Sequence, residues 1–355
     1  MEPNRSWHDP VVEIFGNLVT LGVHYSAEAY DLANRRWYRL DVTEPDVLDD
    51  DWLLATVAEH IRAYYAAHGE APPWNTIALP AHAGPATFEC RRDNLVGRPI
   101  RASLSYGASP TDRLPTAPIH ELQHLTYISR SADRCVWRGR DCVFKRVEFD
   151  VDIEAIAGEI RAREALREAL REALRDAILP SSSLSSFADL DLDAEMTRQF
   201  CVVPILAVVI GDRAPWKHGT VAGVLTPFCG KDLEMLVRPG VGEGFSVTAT
   251  QLAEVVRGVR RLGDCGVVHG DIKYWNTMLQ QREGDKEAKL VLIDLGMEAP
   301  EYEGDAQALG TLLLWCVENV KGLREDAGVK ARVIAAAAAL RVEDFDAALA
   351  CLANE

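Results

Sequence analysis

No run in the 355-residue sequence approaches the ~18 consecutive apolar residues of a membrane-spanning helix. A membrane is therefore not an expected partner. The first residues, Met1-Glu2-Pro3-Asn4-Arg5-Ser6-Trp7, lack the apolar segment of a secretory signal. Cysteine never occurs as a C-x-x-C pair, so a zinc ribbon is not expected. The eight cysteines are Cys90, Cys135, Cys142, Cys201, Cys229, Cys265, Cys316 and Cys351. Most lie in apolar runs, as buried free thiols do. A reducing, intracellular and cytoplasmic setting follows as an expectation. Positive charge is scarce: 38 Lys and Arg face 54 Asp and Glu, a net charge of −16. Such a surface disfavours nucleic acid and anionic membranes. It leaves room for a local basic pocket that takes a phosphorylated ligand.

What remains is ordinary globular composition, 48% hydrophobic and 26% charged, long enough for about two domains. The first hundred residues alternate strand-like and helix-like pieces. Strands are expected over 11–25, 36–42, 76–79, 86–91 and 100–106. A helix is expected over 49–67, opening on Asp49-Asp50-Asp51. This region carries no chemistry-bearing motif. Residues 107–118 (GASPTDRLPTAP) read as a loop or linker. Three short strands follow over 125–128, 134–138 and 141–149, with a tight turn at Arg138-Gly139-Arg140. A long helix is expected over 152–178. Three copies of Arg-Glu-Ala-Leu run from Arg163 to Leu174, with pairing expected for Glu164–Arg167, Glu168–Arg171 and Glu172–Arg175. A loop over 180–186 ends it. Beyond lie strands at 202–210 and 220–225, a connector at 226–233 and an amphipathic helix over 248–265. Short strands at 266–269, 276–280 and 289–293 precede two or three closing helices, one of them containing the alanine run 335–339.

The informative stretch is His269-Gly270-Asp271-Ile272-Lys273-Tyr274-Trp275-Asn276, with Ile293-Asp294-Leu295-Gly296 beyond it. Phosphoryl transfer from ATP asks for metal ligands, a carboxylate facing the acceptor hydroxyl, and cations against the phosphates. Asp271 suits the acceptor proton, and Lys273 reaches a γ-phosphoryl from the same loop. Asn276 and Asp294 supply hard oxygens suited to Mg²⁺. Lys145 lies on an upstream strand, Cys142-Val143-Phe144-Lys145-Arg146, and the long helix follows it. Glu159 is the chosen ion-pair partner of Lys145, with Glu154 and Glu164 as rivals.

These motifs, in this order and spacing, resemble the protein-kinase-like superfamily over residues 121–355. The β-strand lysine reads Val-Phe-Lys145, the catalytic loop His269-Gly-Asp271-Ile-Lys-Tyr-Trp-Asn276, and the metal motif Asp294-Leu-Gly296. The stretch from Tyr302 through Asp305 to Gly310 resembles the start of the family's central C-lobe helix. The resemblance implies an α+β, two-lobe kinase-like fold. It divides the chain into an N-terminal α/β extension at 1–118, an N-lobe at 119–229 and a C-lobe at 230–355. It also implies an ATP- and Mg²⁺-dependent phosphotransferase acting on a hydroxyl of protein Ser/Thr. A small-molecule kinase, similar to aminoglycoside phosphotransferases, and a non-catalytic pseudokinase are the alternatives. Asp271, Lys273, Lys145 and Glu159 are the expected catalytic set. Lys145, Ser131, Thr226 and Phe228 are expected at ATP, and Asn276 and Asp294 at the metal.

The chain departs from the family pattern in three places. The turn at residues 129–134 carries no glycine, so Ser131 and backbone amides stand where a glycine-rich loop would lie. Gly270 replaces an arginine. Between Asp294 and Glu301 there is no Ser, Thr or Tyr, so dependence on phosphorylation of this segment is not expected. Two further motifs remain. His120-Glu121-Leu122-Gln123-His124 matches H-E-x-x-H, but prolines precede it and β-formers follow, so a turn into a strand is expected rather than a zinc helix. Tyr274 and Trp275 either pack beneath the loop or stack on a substrate.

Overall fold

Alternation of apolar and polar side chains builds the first sheet. In β2 (His24–Asp31) Tyr25, Ala27 and Ala29 are buried while His24, Ser26 and Glu28 are half-buried. It pairs antiparallel with β1 (Val12–Thr20) and with β3 (Arg36–Thr43). The chain then crosses through α1 (Asp50–His68) into β4 (Thr76–Leu79), which runs parallel to β3, as a helical crossover allows. The short β5 (Glu89–Arg91) closes the order β1-β2-β3-β4-β5. Leu53, Val57 and Ile61 of α1 fill a core with Tyr25, Tyr38, Leu40, Trp74 and Ile77. The computed structural model describes residues 5–20, 24–43, 50–79, 88–93, 100, 102–107, 114–178, 191–212, 215–242, 244–281, 288–296, 299 and 301–353.

A second sheet has the order β6-β10-β11-β9-β8-β7. Its strands are β6 (Thr116–Pro118), β7 (Gln123–Ser129), β8 (Ala132–Trp137), β9 (Arg140–Arg146), β10 (Ala207–Ile210) and β11 (Val221–Pro227). The expected tight turn joins β8 to β9, with Arg138 at φ 50° and Gly139 at φ 74°. The helical part comprises α2 (Asp152–Ile178), α3 (Leu192–Phe200), α4 (Leu233–Val237), α5 (Ala249–Asp264), α6 (Asp305–Asn319), α7 (Lys321–Glu325), α8 (Ala327–Leu340) and α9 (Phe345–Ala353). A two-stranded hairpin, β12 (Thr277–Gln280) with β13 (Lys289–Leu292), lies within it. The architecture is α+β with mixed sheets. No helix among the described residues is long and apolar enough to cross a membrane.

The chain separates into two compact units. The first is Met1–Ser103, Ala117–Asp150 and Ile210–Gly223; the second is Leu104–Thr116, Val151–Val209 and Val224–Glu355. In the first unit a buried charge network joins the N-terminal sheet to β7–β9. Asp133 of β8 takes a bidentate contact from Arg5 and a 2.8 Å ion pair from Arg146. Arg146 also pairs with Glu148 at 2.6 Å, and the Tyr30 hydroxyl donates to Glu148. Burial alone would raise the Asp133 carboxyl, but the arginines outweigh it and hold it well below the carboxylate range. Arg35, at the β2–β3 turn, donates to the carbonyls of Ser129 and Arg130 and reaches Asp133 at 3.3 Å. The glycine-free turn between β7 and β8 is thus clamped by a residue almost a hundred positions upstream.

In the second unit α5 buries Leu252, Val255, Val256, Val259 and Leu262, the one-sided spacing of an amphipathic helix. Its start is fixed by a capping box between Thr248 and Gln251. Several expectations are corrected. The stretch expected as one strand over 11–25 forms β1 and the start of β2. Residues 102–107 form no strand among the described residues. Instead the Tyr106 hydroxyl donates to Glu164 at 2.5 Å and accepts from the Leu114 amide at 2.8 Å. Pro204 cannot donate to a ladder, so 202–210 does not run as one strand: Val202 bridges Leu292, and β10 begins only at Ala207. Residues 266–269 are an irregular loop, and residues 180–186, expected as a loop, lie outside the described residues. Of the three expected pairs on α2, Glu168–Arg171 forms at 3.6 Å. Arg167 turns instead to Asp193 of α3 at 3.1 Å, while its expected partner Glu164 accepts the Tyr106 hydroxyl.

Candidate functional site

The loop that carries the chemistry is tied at both ends. It leaves α5 through Gly266, and the first carboxylate of α6 holds its middle. Asp305 accepts the His269 amide at 2.8 Å and the Gly270 amide at 3.1 Å. The Tyr302 hydroxyl donates to the same carboxylate at 2.5 Å. Gly270 has φ 87°, a left-handed backbone that explains a glycine there in place of a side chain. The carbonyls of His269 and Gly270 accept the amides of Gly296 and Ala299 at 3.0 and 2.9 Å. Gly296 and Ala299 are thus both held against the loop. Met297, Glu298 and Pro300 lie outside the described residues.

Asp271 is the centre of this arrangement. One carboxylate oxygen meets the Lys273 ammonium at 2.6 Å, and the other accepts the Asn276 side-chain amide at 2.7 Å. The same amide nitrogen donates to the Asp271 carbonyl at 2.9 Å, and Asn276 is buried. Neither contact uses the Asn276 Oδ1. Asn276 continues the β12–β13 ladder, since its carbonyl accepts the Ile293 amide at 3.0 Å. Asp294, the next residue, sits at φ 61°. Left-handed backbone on a non-glycine residue costs of order 1 kcal/mol or more and persists only where its surroundings impose it.

Those surroundings are α2. Gly158 passes so close to Gly296 that a Cβ on Gly158 would lie 2.5 Å from the Gly296 carbonyl oxygen. One turn further, Arg163 is fully buried and donates Nε–H to the Val203 carbonyl at 2.8 Å. Burial pushes its guanidinium down to about 10, while the negative charges of Glu159 and Asp294 support it. His269 is wholly buried, and burial pushes its imidazole down to about 4, so the ring is neutral.

The expected residues fall as follows. Asp271, Lys273 and Asn276 form one contact set, and Asp294 adjoins it through the hairpin. Glu159 is buried on α2 in the same unit. Thr226 is the penultimate residue of β11 and Phe228 follows the strand, both half-buried. In the first unit Lys145 lies on β9 opposite Ala132, and Ser131 lies in the β7–β8 turn, its carbonyl accepting the Arg146 amide at 2.8 Å. His120 lies on a single 3-10 turn and bonds Asp212 at 2.9 Å, while His124 lies on β7; H-E-x-x-H is not on a helix. Tyr274 stacks on Trp315, with centroids 4.5 Å apart, and Trp275 is exposed beneath the Lys273 ammonium, 4.8 Å away. A cavity of about 400 Å³ beside Asp271 is lined by Lys273, Tyr274, Trp275, Glu301 and Trp315.

The sequence reading missed two members. Asp305 was visible as a helix start but not as the anchor of the loop. Arg163 opens the Arg-Glu-Ala-Leu repeat, which shows no sign of a buried arginine in its own residues. Its signal was its phase: it shares the stripe of Ile156, Ile160, Leu166 and Leu170, all buried. No family model matches this chain, and no curated protein matches it.

Proposed function

We propose that this chain is an ATP- and Mg²⁺-dependent phosphotransferase of the protein-kinase-like superfamily, with a two-lobe fold, transferring the γ-phosphoryl group to a hydroxyl of protein Ser/Thr. The observation that carries the reading is the Asp271 carboxylate, aimed from both sides by Lys273 and Asn276 beside an open cavity. A carboxylate so held suits the task of orienting an acceptor hydroxyl and taking its proton. Lys273 supplies positive charge where the transferred group would gain negative charge.

Asn276 Oδ1 and the Asp294 carboxylate are hard oxygens, the donor chemistry Mg²⁺ prefers. Among the described residues no cluster of three His, Cys, Asp or Glu has metal-ligand geometry. A Mg²⁺ on Asn276 and Asp294 would take its other ligands from phosphate and water, as is common at such sites. Bound there, the ion would neutralise phosphate charge. Lys145, Ser131, Thr226 and Phe228 are the residues this reading gives to the nucleotide, with Glu159 as the partner of Lys145.

One observation favours a second acceptor class. The cavity at Asp271 falls within the roughly 300–1,000 Å³ of small-molecule sites. A small-molecule hydroxyl is therefore the alternative. The test is transfer of labelled γ-phosphate from Mg²⁺-ATP to a Ser/Thr peptide library and, separately, to a panel of polyhydroxylated metabolites. Asp271→Ala should lower transfer by on the order of 10²–10⁴-fold. Binding of Mg²⁺-ATP by thermal shift with no turnover on any acceptor would sink the enzyme reading in favour of a pseudokinase.

A further inference from the structure

Away from Asp271, the second unit holds a polar cavity of about 190 Å³. It is walled by Arg198 at the end of α3, Arg257 and Arg261 of α5, and Lys289 at the start of β13. Glu254 is the one acidic residue in its lining, and Cys201 lies in its wall. Four cations face one lining carboxylate, and with Glu195 pairing Arg198 from just outside the lining the local excess is two, in a chain whose net charge is −16.

The accounts of these cations differ. Arg198 is held by Glu195, with contacts of 2.5 and 2.8 Å. Arg261 donates to the Gln199 carbonyl at 3.2 Å. Among the described residues, the side chains of Arg257 and Lys289 make neither hydrogen bond nor ion pair. Arg257 and Arg261 stand four residues apart, hence on one face of α5, where like charges repel. The Cys201 thiol does not offset them. It donates to the Glu254 carbonyl at 3.3 Å, and burial pushes it up to about 12, so it carries no charge. Three elements thus converge cations on a space of roughly six water volumes. Arginine forks and a lysine ammonium around such a space match the oxygens of a tetrahedral anion.

We infer that this cavity is a binding site for a phosphate group, as inorganic phosphate or a small phosphomonoester, separate from the candidate catalytic loop. Lys289 begins β13, and three strand steps, about 10 Å, separate it from Leu292 before Asp294 is reached. The inference does not depend on the phosphotransferase reading, since no nucleotide or acceptor enters it.

The test uses the full chain and inorganic phosphate at fixed ionic strength, with chloride as the replaced anion, read by thermal shift and by isothermal calorimetry. Phosphate should raise the melting temperature saturably, whereas chloride should not. The exposed pair Arg257→Ala with Lys289→Ala should weaken phosphate binding at least tenfold, and Arg257→Lys should retain most of it. Lys273→Ala, in the catalytic loop, should bind phosphate like the parent chain. The inference is overturned if chloride stabilises equally. It is overturned too if the double variant binds phosphate unchanged, or if Lys273→Ala abolishes the effect. Should the double variant melt lower in chloride alone, Lys289→Gln replaces it, with a weakening of at least threefold expected and unchanged binding counting against the site.

Discussion

His269 shows at the level of one residue what burial does to the candidate site. Its folded-state pKa lies near 4, against about 6.5 in the unfolded chain. Below pH 6.5 the unfolded state binds the extra proton, so stability is full above that pH and is lost as pH falls towards 4. The expected slope approaches 1.4 kcal/mol per pH unit inside that window. Urea melts at pH 7, 6 and 5 should show it, and His269→Gln should flatten the trend. A slope equal in both proteins would remove His269 from the account. Tyr302→Phe deletes the donor to Asp305, which anchors the loop, and should cost about 1.5–3 kcal/mol as a hydrogen bond to a charged group. The contact set Asp271, Lys273 and Asn276 was legible in the sequence because its three members lie within six residues of each other. Arg163 and Asp305 were not, because their roles depend on contacts with residues distant in the chain.

Among the elements, α2 and the Asp294–Gly296 turn are interlocked by two glycines. Gly158→Ala would force a methyl group to within 2.5 Å of the Gly296 carbonyl oxygen. Overpacking of this kind costs typically 1–3 kcal/mol, and here it would also displace the backbone beside Asp294. We expect Gly158→Ala to lower the melting temperature and, if the proposed activity is present, to raise the Mg²⁺ concentration needed for half-maximal rate. An unchanged Mg²⁺ requirement would show that the helix does not set the position of Asp294. Helices α1, α2 and α5 were legible to within a residue or two because helix propensity and a buried apolar face agree there, with a capping box besides at the start of α5. The strands at 100–106 and 266–269 were misread because short apolar runs satisfy both strand and loop. Tertiary partners, Glu164 for Tyr106 and Asp305 for the 269–270 amides, decide between them.

For the molecule as a whole, the N-terminal residues are structural partners of β8 and β9. Arg5 and Arg35 supply two of the three arginines facing Asp133 and Glu148. Arg5→Ala should therefore destabilise the first unit by roughly 3–5 kcal/mol, the cost of breaking a buried pair. Added salt should restore little, since buried pairs are poorly screened. Equilibrium unfolding followed by tryptophan fluorescence checks both, and a loss below 1 kcal/mol would mean the network is dispensable. The same contact bears on how the chain comes into being. Arg5 and Asp133 are 128 residues apart. At ~5–20 residues per second a ribosome needs roughly 6–26 s to travel between them. For that interval the nascent sheet offers a guanidinium with no carboxylate to receive it. The last piece of the unit, Ile210–Gly223, emerges later still. The first unit is thus completed only after a segment more than two hundred residues beyond Arg5 has been made.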